Sequence, residues 1–527
     1  MVSSAASRFD PLPDITGLTV RTIIDKGAAD HPDRVFAVFP DADAILTWSD
    51  LKRSALRLTA WLTESGVSAG EPVGVLMDNG RAALQLFLGC MYAGRLSAMF
   101  NPAAGAHSLA YVIEHSASTV LYTDEDHADM ASAAVAAARQ NIRLMILGRD
   151  TDLDEPTGDA VDPSPPPRPD DDALLIYTSG TTGHPKGVIH THASLLAGGA
   201  NTTAAHSLGS DDRALCVLPL CHINGQVVTV MAPLVSGSSV VMPRRFSVNR
   251  FWEWTATERC TWFSVVPTII SYLLGSEDSS AWSTAGQLKT LRFGRSASAP
   301  LPPAVHEAFV ERFDIPIVET MGITETAAQV LSNPLDPQAQ RIGSPGLACG
   351  NEVRIGSTRV GKSAEAGEGE IEVRGPNLMR CYLDDPVATK EAFTADGWYR
   401  TGDLGRMDGE GYVYVTGRIK ELIIKGGENI SPREIDDVLY RYPGVLEAAA
   451  VAVPDQDYGE DILACVVVVP GSQIKEDALR AFCLEELGAF KSPRSFLFMD
   501  SLPKGPSGKI QRRKLSSDVS GQNSVGI

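Results

Sequence analysis

Short apolar runs alternate with longer stretches of helical spacing through the first third of the chain. Residues 73–77 read as a buried strand and 81–94 as the helix that follows it, and 97–100, 119–123 and 144–147 repeat the strand signal. Alternation of this kind predicts parallel sheets covered by helices. Residues 151–171 (TDLDEPTGDAVDPSPPPRPDD) are too rich in Pro and Asp for a core element and predict a surface connection between two lobes. A second lobe runs from 172 to about 367, after which 369–374 and 411–415 read as strands of a small β-rich part.

Beyond Arg418 the pattern changes. Residues 421–425 read as a strand and Gly426-Gly427 as a turn. Ser431-Pro432-Arg433-Glu434 then satisfies the capping-box pattern at a helix start. Ile435, Val438, Leu439 and Tyr442 fall on one side of that helix. With apolar strands at 446–453 and 462–469 and a later helix, this tail predicts a domain of its own. The expected fold is α/β: a large N-terminal domain (1–419) of two αβ-layered lobes plus a small β-rich part, then a small α+β domain (420–527).

The length, 527 residues, exceeds what one hydrophobic core organises, which agrees with two domains. Acidic residues outnumber basic ones by 65 to 46, a net charge of −19 that argues against a nucleic-acid or anionic-membrane partner. A polyanionic ligand therefore needs locally concentrated cations and backbone N–H groups. The eight cysteines are scattered without a CxxC, as small core residues are. Neither a signal peptide nor an apolar run of about 18 residues is present. These features predict a cytoplasmic protein without integral membrane contact.

Tyr177–Val188 reads YTSGTTGHPKGV, directly after the strand-like Ala173–Ile176. Thr178, Ser179, Gly180, Thr181 and Thr182 offer hydroxyls and approachable backbone N–H groups, and Lys186 adds a cation, which together suit a polyphosphate. The string is not a Walker loop, which requires GxxxxGK[ST]. It resembles the signature loop of the adenylate-forming superfamily, which includes acyl-CoA synthetases, insect luciferases and the adenylation domains of peptide synthetases. Further motifs of that family follow in order, from about residue 19 to 515.

The resemblance implies roles for named residues. In Glu319–Ala327 (ETMGITETA), Thr324 matches a phosphate contact and Glu325 the Mg²⁺ ligand, while Met321 and Gly322 border the adenine where relatives carry an aromatic residue. In Leu291–Leu301 (LRFGRSASAPL), Ser298, Ala299 and Pro300 match the segment flanking the base. Asp403 in WYRTGDLG matches the ribose ligand, and Arg418 a ribose- and phosphate-contacting arginine. Lys420 falls on the hinge of a mobile C-terminal domain, and Lys509 in LPKGPSGKIQRRKL on the adenylation lysine. Lys504, Arg512 and Arg513 read as a solvated basic face. Gly426, Gly427 and Glu428 match a loop that swings toward coenzyme A, and Lys491 and Arg494 match positions holding its nucleotide.

The implied activity is ATP-dependent, AMP-forming acid–CoA ligation with ATP, Mg²⁺ and coenzyme A, by a monomer or homodimer. Leu218–Gln226 (LPLCHINGQ) resembles the acyl-pocket motif, with His222 beside the carboxylate and Asn224 nearby. Arg295 approaches the same region, and a buried arginine needs either a ligand anion or a protein carboxylate. The ligand reading predicts a short polar acid with a second anionic group. A medium-chain or aromatic acid, and a separate carrier protein as acceptor, are the alternatives. An amino-acid-activating domain fits less well, because Leu218–Gln226 contains no acidic residue to hold an ammonium.

Overall fold

The computed structural model describes residues 8–148, 153, 165–178, 185–276, 288–356, 367–505 and 508–516. Two large sheets dominate. A seven-stranded sheet runs in the order Cys381–Tyr382, Lys186–Thr191, Asp172–Thr178, Leu96–Met99, Pro72–Leu76, Val120–Asp124, Arg143–Leu147, and its last five strands are parallel. A nine-stranded sheet has Phe293–Ser296 near its middle, flanked in parallel by Trp262–Val265 and Ile317–Ile323. The strands expected at 73–77, 97–100, 119–123 and 144–147 are present with ends displaced by one residue, because apolar spacing marks the centre of a strand better than its ends.

The two lobes interleave. The hairpin Val35–Phe39/Ala44–Thr47 adds to the far edge of the nine-stranded sheet, before the chain enters the other one. Residues 151–171 therefore join two strands of the same seven-stranded sheet, Arg143–Leu147 and Asp172–Thr178, rather than two lobes. Most of that segment lies outside the described residues. Leu153 is half-buried, with its N–H donating to Gln85 and its carbonyl accepting from Arg57.

Between the sheets lies Arg81–Tyr92, apolar on all sides and buried almost throughout. It packs on Trp48–Glu64, which starts at a capping box formed by Thr47 and Asp50. Gly89 allows this approach, since a Cβ there would lie 2.8 Å from Leu58 Cδ2. A four-stranded antiparallel sheet (Glu352–Ile355, Gly369–Arg374, Tyr399–Met407, Val413–Arg418) follows, its last strand starting after the Gly411 turn at φ 91° rather than at 411.

A one-turn 3₁₀ segment, Ile419–Glu421, with Lys420 exposed, leads to a separate sheet built on Val445–Asp455 and Gly459–Val468. Its own apolar cluster gathers Ile423, Ile435, Leu439, Ala450, Ile462 and Leu479. The helix after Ser431 covers Pro432–Tyr440, with Ile435, Val438 and Leu439 buried and Tyr442 just past its end. The expected capping box does not form. The Ser431 hydroxyl donates instead to the Thr416 carbonyl, 2.6 Å away, and Glu434 accepts from Lys491 at 2.8 Å. Among the described residues no helix is long and apolar enough to cross a membrane.

Candidate active site

A cavity of about 200 Å³ opens between the large unit and the C-terminal sheet. From the large unit it is lined by Ser298–Pro300, Glu319–Ile323, Asp403 and Arg418, and from the other side by Gly508–Ile510 and Arg512. Strand geometry assembles these groups. Asp403 and Arg418 are register partners on neighbouring antiparallel strands, and the Arg418 Nε reaches Asp403 Oδ1 at 3.0 Å. Ser298 turns the chain out of Phe293–Ser296 with φ 71°, in the left-handed region. Gly322 sits where a Cβ would overlap the Ala328 carbonyl at 1.5 Å, so only glycine lets this hairpin close.

The electrostatics follow from burial. Desolvation raises the Asp403 carboxyl, opposed by Arg418 and Lys509, and Asp403 in turn raises Arg418. The Lys509 ammonium is lowered, first by burial and then by the neighbouring Arg418. A chain of net charge −19 thus concentrates Arg418, Arg433, Lys509 and Arg512 around one cavity. Glu319, buried in its wall, is pushed up to about 7 by desolvation.

Next to the Thr324–Thr326 turn, Tyr382 donates to Glu325 Oε1 at 2.9 Å, and the Lys186 ammonium lies 4.7 Å from the centre of the Tyr382 ring. Thr178 and Lys186 face each other at the mouth of a hairpin. Ser179, Gly180, Thr181 and Thr182 lie outside the described residues. His190 bonds the Thr324 carbonyl through Nε2 at 2.7 Å and stays neutral, its pKa pushed down to about 4 by burial. Tyr382 and His190 escape sequence reasoning because each reaches its partner across more than 50 residues.

His222, Asn224 and Arg295 do not line this cavity; Asn224 and Arg295 belong to a second, buried polar cluster, while His222 is half-buried. Arg295, 1% exposed, donates through Nη1 to Ser264 Oγ at 3.0 Å and through Nη2 to Gln329 Oε1 at 2.9 Å. Ser264 donates onward to Asn224 Oδ1 at 2.8 Å. No carboxylate among the described residues pairs with Arg295, and its Nε is buried without a hydrogen-bond partner. Burial alone pushes its pKa down to about 9. The Gln226 side-chain amide is likewise buried with neither its oxygen nor its nitrogen bonded, as is His222 Nε2. His222, pushed down to about 4 by burial, is neutral. Asn224 and Gln226 stand on a π-helical stretch, Asn224–Met231, a form concentrated at functional sites.

The groups matched to coenzyme A lie elsewhere in the C-terminal unit, and none lines the cavity. Gly426 and Gly427, at φ 58° and 83°, make the turn of the Ile423–Lys425/Glu428–Ile430 hairpin. Lys491 pairs with Glu434 and Arg494 with Asp455. Lys504 and Arg512 are not the solvated face expected of them. Lys504 Nζ bonds buried Glu447 at 2.7 Å and also Tyr272 Oη, and Arg512 pairs with buried Asp436, so both cations are engaged by protein groups rather than by solvent.

A cavity holding a buried carboxylate–arginine pair and a lysine delivered by a second unit, with a separate Glu325–Tyr382–Lys186 cluster at the Thr324–Thr326 turn, is the candidate site for a nucleotide. Comparison with known proteins agrees. Residues 24–383 match the AMP-binding enzyme family and 434–509 the AMP-binding enzyme C-terminal domain. The chain belongs to the AMP-binding enzyme family, in its acid–CoA ligase branch. It is 48% identical to a sulfoacetate–CoA ligase of Cupriavidus necator, over 94% of this chain and 97% of that one. It is 35% identical to an oxalate–CoA ligase of Arabidopsis thaliana, over 88% and 90%. The ATP-bound crystal structure of MatB from Rhodopseudomonas palustris superposes with a TM-score of 0.86 at 29% identity, covering 95% of this chain and 99% of that one.

Proposed function

We propose that this acid–CoA ligase acts on a short acid carrying a second anionic group, which Arg295 receives. The observation that carries the reading is a guanidinium sealed from water without a carboxylate partner. A charge left unpaired in the interior costs several kcal/mol, and a bound anion offsets that cost. The free Nε, with the unbonded Gln226 amide beside the same π-helical turn, supplies directional donors for it. The likeness to ligases named for sulfoacetate and oxalate supports this choice over a fatty or aromatic acid.

The carboxylate at the other end of the acid attacks the α-phosphorus of ATP, forms a mixed anhydride and releases pyrophosphate; the thiol of coenzyme A then takes the acyl group and releases AMP. No base is needed in the first step, because the nucleophile is already ionised. Lys509 stabilises charge on the α-phosphoryl oxygens and Asp403 holds the ribose, with Arg418 between ribose and phosphate. Ser298–Pro300, Met321 and Gly322 border the adenine, Lys186 and the 178–182 loop take the terminal phosphates with Thr324, and His222 stands by the acid carboxylate. Glu325 supplies one hard oxygen, which suits Mg²⁺, an ion that keeps phosphate and water as its other ligands; when bound, that ion neutralises polyphosphate charge.

The domains divide at Lys420 (1–419 and 420–527), a reading supported by the one-turn connection and the separate apolar cluster. Rotation there carries Lys509 away and brings in Gly426, Gly427 and Glu428, with Lys491 and Arg494 at the nucleotide of coenzyme A. ATP and coenzyme A as cosubstrates support a cytoplasmic location.

The test is CoA-dependent AMP formation across sulfoacetate, oxalate, malonate, acetate, octanoate and benzoate. Turnover confined to the doubly anionic acids is expected. A preference for octanoate or benzoate contradicts the acid assignment, and pyrophosphate release without thioester contradicts coenzyme A as acceptor.

A further inference from the structure

The cavity exists only because two separately folded units meet, so whatever fastens them also positions Lys509. The seam is made of a few directional bonds. Arg433, at the start of the C-terminal helix, donates through Nη1 to the Val415 carbonyl and through Nη2 to the Gly343 carbonyl at 3.4 Å, both on the large unit. Within its own unit it pairs, among the described residues, with Asp437, one helical turn away at 3.5 Å. The same guanidinium faces buried Glu319 in the cavity wall and opposes the rise that burial imposes on that carboxyl. At the opposite rim the Thr268 hydroxyl donates to the Gly508 carbonyl at 2.8 Å, immediately before Lys509. Lys504 Nζ also crosses, reaching Tyr272 Oη at 2.7 Å.

These bonds end largely on backbone carbonyls, which tolerate parting because water satisfies them once the seam opens. We infer that Arg433 is a positioning residue that clamps the C-terminal unit in the lysine-inward orientation, so that it promotes adenylate formation and must let go before thioester formation. This rests on the two-step ligase reading above. Arg433 acts through Lys509 and the wall carboxylate and takes no part in bond making. Thr268 is the second point of the clamp, and it fixes the backbone of the lysine loop itself.

The structure offers a trap for this orientation that needs no substrate. A Cβ on Gly508 would stand 4.0 Å from Thr268 Cβ, within the spacing of a disulfide. In the Thr268→Cys/Gly508→Cys protein, oxidation is expected to cross-link the two units, and adding Arg433→Ala is expected to slow cross-linking about tenfold or more. Arg433→Lys, which keeps the charge and loses the fork, falls between. Equal cross-linking rates with and without Arg433 overturn the inference. In the otherwise native chain, Arg433→Ala is expected to cut the pyrophosphate burst with ATP and sulfoacetate by about tenfold, while thioester formation from prepared sulfoacetyl-adenylate and coenzyme A stays within about twofold. Loss confined to the KM for ATP, or equal loss in both half-reactions, overturns it as well. If wild-type protein does not turn over sulfoacetate, the acid assignment fails and the cross-linking rate alone decides the clamp.

Discussion

The strand Phe293–Ser296 serves two sites of opposite character. Just past its end, Ser298–Pro300 border a cavity where every charge has a counter-charge nearby, Asp403 against Arg418 and Arg512 against Asp436. Within the strand, Arg295 heads a buried cluster whose hydrogen-bond partners among the described residues are neutral, Ser264 and Gln329. The compensated cavity is stable while it waits for a nucleotide. The sealed cluster holds a cation with no carboxylate partner among the described residues, so it contributes nothing to stability through pairing, and the proposed function accounts for it by the anion it receives. On the proposed reading, general chemistry and specificity are separated on one strand, and each is open to perturbation without the other.

The largest effect should come from the cavity. Lys509→Ala is expected to lower adenylate formation by about 10²–10³-fold, as removal of a preorganised charge does, read as single-turnover pyrophosphate release. Thioester formation from supplied adenylate should be nearly untouched. On the other side, Arg295→Met should lower turnover of doubly anionic acids by about 10²-fold, the loss of a charge-assisted bond in a dry site. Unfolding free energy in urea should change by less than about 1 kcal/mol, because a sealed cation without a carboxylate is replaced by an apolar chain of similar length. A large loss of stability would instead make Arg295 a structural keystone and dissolve the contrast.

Two smaller effects sharpen the cavity side. Glu319 has a folded-state pKa of about 7, above its ordinary 4.5, so the native state binds its proton more tightly than the unfolded chain does. The stability this contributes is full below pH 4.5 and is lost as pH rises through 7. Relative to Glu319→Gln, the wild type should lose on the order of 2 kcal/mol between about pH 5 and 8, measured by urea titration. Tyr382→Phe removes the hydrogen bond to Glu325, worth about 1 kcal/mol, along with the longer contact to Tyr399 Oη at 3.3 Å. The Mg²⁺ concentration for half-maximal activity should rise several-fold, with the KM for the acid unchanged.

How much was legible follows the same division. The nucleotide motifs sit in contiguous strings: YTSGTTGHPKGV reads as a phosphate loop from its own chemistry, whereas Glu325, Asp403 and Lys509 were singled out through the family resemblance, and the structure brings Asp403 and Lys509 to one cavity. The acid cluster is assembled through space from residues 224, 264, 295 and 329. Asn224 and Arg295 were visible because polar groups in apolar runs stand out, while Ser264 and Gln329 look ordinary until the strands pair. At Ser431 the local pattern promised a cap, yet a cross-unit carbonyl outcompeted the helix for the hydroxyl. The placement of 151–171 failed similarly: composition marks a loop, but which strands it joins depends on sheet order, which no local signal encodes.

The most direct test of the central claim is a crystal structure with the adenylate of a short sulfonated acid bound. The account predicts a sulfonate oxygen within about 2.7–3.2 Å of Arg295 Nε, with the Gln226 amide as a second donor. It is contradicted if Arg295 keeps only Ser264 and Gln329 while the sulfonate binds elsewhere.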